Sequence, residues 1–530
     1  MTTLLTLLLG SVLLAGIPAS PGPDAKVKLP EPGLVPGAGA GAGAARLGIN
    51  LAGPADWNTE LPFVDVFRLS RAWISQRQGS RWHQGPALTL DEQGYVTQLE
   101  PGCYVDTPLC TMGRAGHRPA GAYVVLYEGQ GTLAFWGAAR IREQAPGRIV
   151  IDVADTPEPI WLSVRETRPG DHVRNIRVLM PGHDATYQAE PWRPGFLEQW
   201  RGIACIRFMD FMHTNDSTQA RWSDRPTLAS AHWTGSGGVP VEVMCDLVNR
   251  LDCDAWFCMP HLADDDYIRR FAELVKQQLE PQRRVYIEYS NEVWNGQFKQ
   301  HGHAAQQGAR LGMAGKSWEQ AWNYTARRSV EIFAIWDSVF ADAARQRLVR
   351  VLPTQAVNTW AARRIITFED AYKHADVLAI APYFGWTPDL NEAQEAIDLG
   401  AGGVLARLDA EALTKIIAVM GENKKLADEF GLKLVCYEAG QHLVGVGQAV
   451  GHDRLTQLCL EVNGHAGMGP LYRRYYDAWE QVGGDLMCHF SSVGHWSKWG
   501  SWGLVEYGLN PTPTAKMAVT LETMRRWNGR

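Results

Sequence analysis

A (β/α)8 barrel, an α/β fold with an antiparallel β-sandwich domain inserted near its start, is the fold class that the sequence predicts. Three observations lead there. From about residue 200 onward, strand-sized apolar runs alternate with stretches whose apolar residues fall at helical spacing, the pattern of a parallel sheet wrapped by helices. Seven such runs lie in that region, and an eighth, RLGINLA, stands upstream at 46–52. Between the first and second runs, short alternating segments separated by Gly and Pro take over, as in an antiparallel sandwich. Eight strand–helix units point to closure, because a closed barrel gives every strand two partners and leaves no edge. An open doubly wound sheet is the alternative, but neither GxGxxG nor a phosphate loop follows the first run to favour it.

The elements follow in order. Residues 1–20, MTTLLTLLLGSVLLAGIPAS, carry an apolar run from Leu4 to Ile17 and small residues at Ala19 and Ser20. That reads as a secretory signal rather than a membrane span, although no positively charged n-region precedes it, and it places the mature chain outside the cell or in a periplasm. Residues 21–45 are Pro/Gly/Ala-rich and read as a flexible linker. The first barrel strand occupies the region 46–80, the inserted β-domain 81–190, and the remainder of the barrel 191–530. Within the insert the runs are YVTQL, AYVVLYEG, GTLAFWG, RIVIDV, IWLSVRET and IRVLM. This domain either binds carbohydrate or shapes one wall of a cleft. The later barrel strands are expected at 203–209, 254–260, 284–290, 347–353, 375–382, 433–439 and 485–491. Segments such as YIRRFAELVKQQL supply the intervening helices.

Composition narrows the function. The 530-residue chain is 45% hydrophobic, enough for a large core, and its net charge of -6 comes from interspersed acids and bases. Without a basic stripe no nucleic-acid partner is expected, and no later apolar run is long enough to cross a bilayer. Twenty-one Trp residues are many, and they often sit beside Gly, Ser, Asn or His. Such rings either stack on sugars, whose C–H faces pack on flat aromatic surfaces, or build a Trp-rich core. The nine Cys make no disulfide framework or zinc spacing. Cys103 and Cys110 flank CYVDTPLC, which reads as a turn they could bridge; Cys205, Cys258, Cys436 and Cys488 read as small core residues. No metal or cofactor is expected.

Function should sit at the C-terminal ends of the barrel strands. In YIEYSNEVWNG (286–296), Glu288, Ser290 and Glu292 share one parity, and in KLVCYEAG, Leu434, Cys436 and Glu438 share another. If both sets point inward, carboxylates from the fourth and seventh strands meet over the barrel mouth. Fold stability does not call for that, whereas glycoside hydrolysis does: one acid gives up a proton and the other attacks or activates water. Other strand ends add Arg207, then His213 and Asn215, with His261 after the third strand, Tyr383 after the sixth and Trp496 after the eighth. An Arg and a Tyr donating to one carboxylate keep it ionised, while an apolar setting keeps its partner protonated. Arg207 could instead serve only as an ion-pair partner for Glu288. His261 with Asp264, Asp265 and Asp266 has the residue types of a metal site, but the Asp residues read better as the cap and charged first turn of the next helix. His301 and His303 read as an exposed approach to a helix.

On these residues the chain resembles the clan A glycoside hydrolases, the barrel superfamily that includes family 5 cellulases and mannanases. The resemblance covers the first strand and roughly residues 200–530. Members end the fourth strand with Asn-Glu, often with another Glu four places earlier, and Glu288, Asn291 and Glu292 match. The resemblance makes Glu292 the acid/base, Asn291 a donor to the sugar 2-hydroxyl, and Glu438 the nucleophile. It likewise makes Arg207 and Tyr383 the groups holding the nucleophile and Trp496 a platform under the sugar. Two features depart from family 5. The motif continues Val-Trp-Asn-Gly where a Pro usually follows the Glu, and the large β-insert is not typical. Trp294 and Asn295 are expected at the cleft wall, or Trp294 under the loop.

The function expected is thus a secreted, retaining β-glycoside hydrolase, endo-acting on a plant or microbial β-glycan, with an oligo- or polysaccharide as its substrate and its oligomeric state left open. Its two carboxyl groups should stand about 5–5.5 Å apart. An exo-acting enzyme, a transglycosylase and a non-catalytic carbohydrate-binding protein are the alternatives.

Overall fold

The computed structural model describes residues 45–529. The signal-like segment 1–20 and nearly all of the 21–45 linker lie outside the described residues. Eight parallel strands close into a TIM barrel. They are β1 (Arg46–Asn50), β2 (Cys205–Arg207), β3 (Asp254–Met259), β4 (Val285–Tyr289), β5 (Leu348–Pro353), β6 (Val377–Ile380), β7 (Lys433–Cys436) and β8 (Leu486–His489). Each pairs with the next in chain order, and β8 returns to β1 through Arg46↔Leu486 to Ile49↔His489. Each lies within one of the eight apolar runs.

Alternation along the strands separates two apolar clusters. Trp256, Cys258, Tyr286, Val351, Ala379, Val435 and Cys488 fill the barrel interior, while Ala255, Phe257, Ile287 and Leu378 face the surrounding helices. The interior is tight enough to require glycine at one point. A Cβ on Gly48 would stand 2.7 Å from Cys488 Sγ and 2.9 Å from the Cys205 carbonyl oxygen. At the N-terminal end of the barrel, Arg46 bonds Asp254, Asp485 and the Tyr286 hydroxyl, tying four strand regions together.

Helices follow the strands as their amphipathic patterns require. Asp264 caps the helix Asp265–Gln278 by accepting from the Tyr267 amide, while Asp265 and Asp266 pair with Arg328 and Arg270. All three acids are thereby engaged in helix structure. Among the described residues no helix is long and apolar enough to cross a membrane.

Between β1 and β2 lie two four-stranded antiparallel sheets. One has the order Ile74–Arg77, Cys103–Leu109, Ile160–Thr167, Gly131–Gly137; the other has Arg174–Leu179, Gly121–Glu128, Arg148–Val153, Ala139–Ala145. Val105, Leu133, Leu162 and Val164 from the first and Tyr123, Val125, Ile149 and Ile151 from the second are all buried in the main apolar core. The first strand of these sheets starts at Ile74, ahead of residue 81. Phe63 and Trp192 flank the insert and meet in a backbone bridge with rings 4.8 Å apart.

One expectation is corrected here. CYVDTPLC is no turn: Cys103–Leu109 is a continuous strand, and Cys103 and Cys110 are both free. Seven residues of extended chain separate the two sulfurs by roughly 20 Å, far beyond disulfide reach. The Pro in this run sits in a strand of the first sheet, and the alternating buried valine and leucine positions decided its conformation.

Candidate active site

β4 ends at Tyr289, and the chain then turns abruptly, with Ser290 at φ 57° and Glu292 at φ 42°. Left-handed backbone at non-glycine residues costs about 1–3 kcal/mol each, so the surrounding contacts must hold it in place. Glu288 and Glu292 both reach the inside of the barrel, but by different routes. Glu288 does so by strand parity, whereas the left-handed turn aims Glu292. Asn295 Nδ2 donates to Glu292 Oε2 at 3.0 Å, and the Tyr437 hydroxyl approaches Oε1 at 3.4 Å. Trp294 Nε1 donates in turn to the Tyr437 oxygen at 3.1 Å.

Glu438 stands just beyond the end of β7, nearly buried. Arg207 Nη1 donates to its Oε1 at 3.0 Å and the Tyr383 hydroxyl to its Oε2 at 3.0 Å. All three nitrogens of Arg207 are engaged. Nε and Nη2 clasp Glu288 at 3.0 and 3.1 Å, Nη2 also reaches Asn291 Oδ1 at 2.8 Å, and Nη1 also reaches Asn50 Oδ1 at 3.2 Å. Glu288 further accepts from Trp256 Nε1 at 2.8 Å. Arg207 is therefore both the ion-pair partner of Glu288 and the group that grips Glu438. It lies under the cavity floor, out of reach of a bound molecule. Burial alone would lower its pKa; the groups around it, Cys258, Glu288 and Glu438, reverse that and hold it charged.

The two carboxyls open on a cavity of about 630 Å³ at the C-terminal mouth of the barrel. Its aromatic walls come from different loops: Trp294 and Phe298 after β4, Trp386 after β6, and Phe490 and Trp502 after β8. The Arg407 guanidinium, also part of the cavity wall, lies 3.9 Å from the Trp386 ring centre. His442 joins the wall between Tyr383 and Trp502, and burial lowers its pKa to about 4, so the imidazole is neutral.

Electrostatics separate the two acids. Burial first, and the nearby Glu438 second, push the pKa of Glu292 up to about 8. Around Glu438, by contrast, stand a guanidinium and a phenol, both donating. The Tyr383 phenol itself is raised well above its ordinary range by burial and by Glu438, so it stays a donor. A third carboxyl stands nearby. Asp210, in the turn after β2, is pushed up to about 7 by burial and by Glu438, and it makes no side-chain hydrogen bond among the described residues.

Glu292, Glu438, Asn291, Tyr383, Trp294, Asn295 and Asn215 come together at this cavity. Trp496 and His261 do not. Trp496 turns away, its Nε1 donating to the Gly503 carbonyl at 2.9 Å and its ring facing the buried Lys516 ammonium at 4.7 Å. Trp502, six residues on, holds the cavity position instead. His261 is buried against His303, ring centres 5.4 Å apart, and burial followed by that neighbour lowers its pKa to about 4. His301 Nδ1 donates to the Val293 carbonyl at 2.8 Å, bracing the loop behind Glu292. Sequence reasoning missed Asp210, Asn50, Tyr437, Trp386, His442 and Gln300. The fully buried Gln300 amide donates to both Asn215 Oδ1 and the Asn291 carbonyl at 2.8 Å. Asp210 and Tyr437 were findable, since each adjoins a strand end already singled out.

No protein-family profile and no curated protein sequence matches the chain. Among solved structures it is similar to a 4-O-α-L-rhamnosyl-β-D-glucuronidase from Fusarium oxysporum 12S, at 12% identity and a TM-score of 0.38. That match covers 64% of this chain and 66% of the Fusarium one, just short of two thirds of its length. The endo-β-1,4-mannanase of Thermotoga petrophila matches at 10% identity over 63% of this chain and 72% of its own, with a TM-score of 0.33. A family 5 mannosidase from Rhizomucor miehei does so at 10% identity over 64% and 87%, with a TM-score of 0.33. These likenesses are distant, so the functional reading rests on the cavity's own geometry.

Proposed function

We propose that the chain is a retaining β-glycoside hydrolase that cleaves a β-glycan by double displacement. The observation that carries this reading is the opposed treatment of two carboxyls at one cavity. Glu292 keeps its proton to about pH 8, while Glu438 is held by the Arg207 guanidinium and the Tyr383 hydroxyl. Two acids at one cavity, one kept protonated and the other held by cationic and hydroxyl donors, divide the roles of proton donor and nucleophile.

In the first step Glu438 attacks the anomeric carbon and the bond to the leaving oxygen breaks, with Glu292 delivering its proton to that oxygen. Glu292, now ionised, then takes a proton from water as that water displaces Glu438 from the glycosyl-enzyme. Asn291, anchored by Arg207 and Asn215, presents its amide to the sugar 2-hydroxyl. Trp502 is the platform, and Trp294 and Trp386 flank neighbouring units. Aromatic walls from three loops favour a substrate several sugars long, hence endo-action on a polymer. Export from the cytoplasm, read from residues 1–20, belongs to the same proposal.

Incubation with soluble β-glucan, xylan and mannan should release reducing sugar from at least one. Glu438→Gln should abolish that release, and Glu292→Gln should lower it about 10²–10⁴-fold. Proton NMR of the first product should find the anomeric configuration retained. Inverted product, or near-wild-type turnover in Glu438→Gln, would sink the mechanism.

A further inference from the structure

We propose that the outer face of the insert's first sheet is a second, non-catalytic binding site for a β-linked pyranose chain, with Trp82 as its platform. Choosing a glycan as the occupant rests on the glycosidase reading above; the form of the platform does not. Strand alternation turns Val105, Leu133 and Leu162 into the sandwich core and sends Tyr104, Trp136 and Trp161 to the opposite face. The face of an antiparallel sheet that points away from its core is ordinarily polar. Here it carries tryptophans.

Trp136 and Trp161 are opposed across neighbouring strands and stack, with ring centres 4.5 Å apart and 1° between their planes. Trp82 stands nearly perpendicular to both, 5.3 Å from Trp161 at 81° and 6.5 Å from Trp136 at 80°. Those separations put Trp82 beside the stack. On its end, Trp82 would stand about twice as far from the distant ring as from the near one. The stack thus braces Trp82 from the side, yet Trp82 remains 52% exposed. The stack beneath is anchored as well as packed. Trp136 Nε1 donates to Ser163 Oγ at 3.3 Å, and Ser163 in turn donates to the buried Asp106 carboxyl.

A sugar ring needs a flat apolar surface for its C–H face and fixed polar groups for its hydroxyls. Arg165 supplies the second on the same face. Its guanidinium lies 3.9 Å from the Tyr104 ring centre, which fixes its plane, and among the described residues it donates no hydrogen bond to a protein acceptor. Its N–H donors are free for hydroxyls. Little ordering remains to be done on binding, because both platform and donor are already held.

If Trp82 merely covers its neighbours, removing it changes stability and not glycan binding. The experiment therefore uses the full chain carrying Glu438→Gln, so that polymer is not consumed. Affinity electrophoresis in soluble mixed-linkage β-glucan, xylan and galactomannan measures retention with Trp82 intact and with Trp82→Ala, Trp82→Phe or Arg165→Ala. Retention by at least one polymer is expected, weakened about tenfold or more by Trp82→Ala and largely kept by Trp82→Phe. Arg165→Ala should weaken it too. Unchanged retention in Trp82→Ala, or no retention by any of the three polymers, overturns the proposal. Should the wild type hydrolyse none of them, retention that Trp82→Ala abolishes would still support the platform while removing the catalytic reading.

Discussion

Glu292 holds its proton for two reasons that can be separated by mutation. The protein around it removes water, and the carboxylate of Glu438 makes a second negative charge unfavourable. In its proposed role as acid/base Glu292 must be protonated for the first step, so kcat/KM should fall as pH rises through about 8, the value at which it loses its proton. Glu292→Gln should erase that limb on an aryl glycoside whose leaving group needs no proton. If the limb persists in the variant, Glu292 is not the acid. Asp210, raised to about 7, is a second carboxyl near Glu438 that titrates in this range. A separate inflection near pH 7 should therefore vanish in Asp210→Asn while the limb near 8 remains. At this scale the sequence was legible for where the two acids lie, because Glu292 and Glu438 follow strand ends that open on one cavity. It was not legible for Asp210, whose importance comes from its closeness to Glu438 across the barrel.

Elements converge on one guanidinium. Arg207, at the end of β2, joins β1 through Asn50, β4 through Glu288 and the loop after β7 through Glu438. Removing it leaves Glu288 fully buried without a counter-charge and takes the guanidinium away from Glu438 at the cavity. Arg207→Met should therefore destabilise the fold by about 3–5 kcal/mol, measured by urea unfolding. Adding Glu288→Gln should recover part of that, since one uncompensated charge is gone. Full additivity of the two changes would mean that the pair is not coupled. Packing two residues nearer the N-terminal end of the barrel predicts a second effect. Gly48→Ala places a methyl against Cys488 Sγ and the Cys205 carbonyl, and should cost about 1–3 kcal/mol. The carbonyl is backbone, so Cys488→Ala should relieve only part of it. Strand periodicity had put both cysteines in the core; only the closed barrel placed them either side of Gly48.

Over the whole molecule, buried acids and buried imidazoles pull stability in opposite directions. Glu60 is raised to about 7, Asp210 to about 7 and Glu292 to about 8 from ordinary values near 4, in each case by burial first. Each binds more protons folded than unfolded, so its contribution is complete at low pH and is lost as pH climbs through 7 to 8. His232, His261 and His442, lowered to about 4, and His489, lowered to about 3, do the reverse. Their contribution is complete above about 6.5 and is lost on acidification through 4. His213 and His303 are lowered in the same way, and Asp65, Asp106 and Glu288 are raised, so the two sets oppose each other between about 4.5 and 6.5. Above that range the raised carboxyls are opposed by the buried Lys516 ammonium, whose pKa burial lowers well below its ordinary value. Glu60→Gln should therefore lose less thermal stability than the wild type between pH 5 and 8. An equal loss in the two proteins would contradict the raised value of Glu60.

Periodicity along the chain determined the eight barrel strands, the sandwich between the first two, and the strand ends that carry Glu292 and Glu438. Alternation and helical spacing are local, and a barrel with short connections repeats one local rule eight times. Tertiary structure alone decided the rest. Parity could not follow the chain past Tyr289, where left-handed residues re-aim Glu292. Six residues separate Trp496 from Trp502, and a buried lysine, not spacing, selects which ring turns from the cavity. The Cys103–Cys110 segment became a strand because the sandwich core needed its alternate side chains. Local pattern says where a side chain leaves the backbone; what it meets there depends on residues hundreds of positions away.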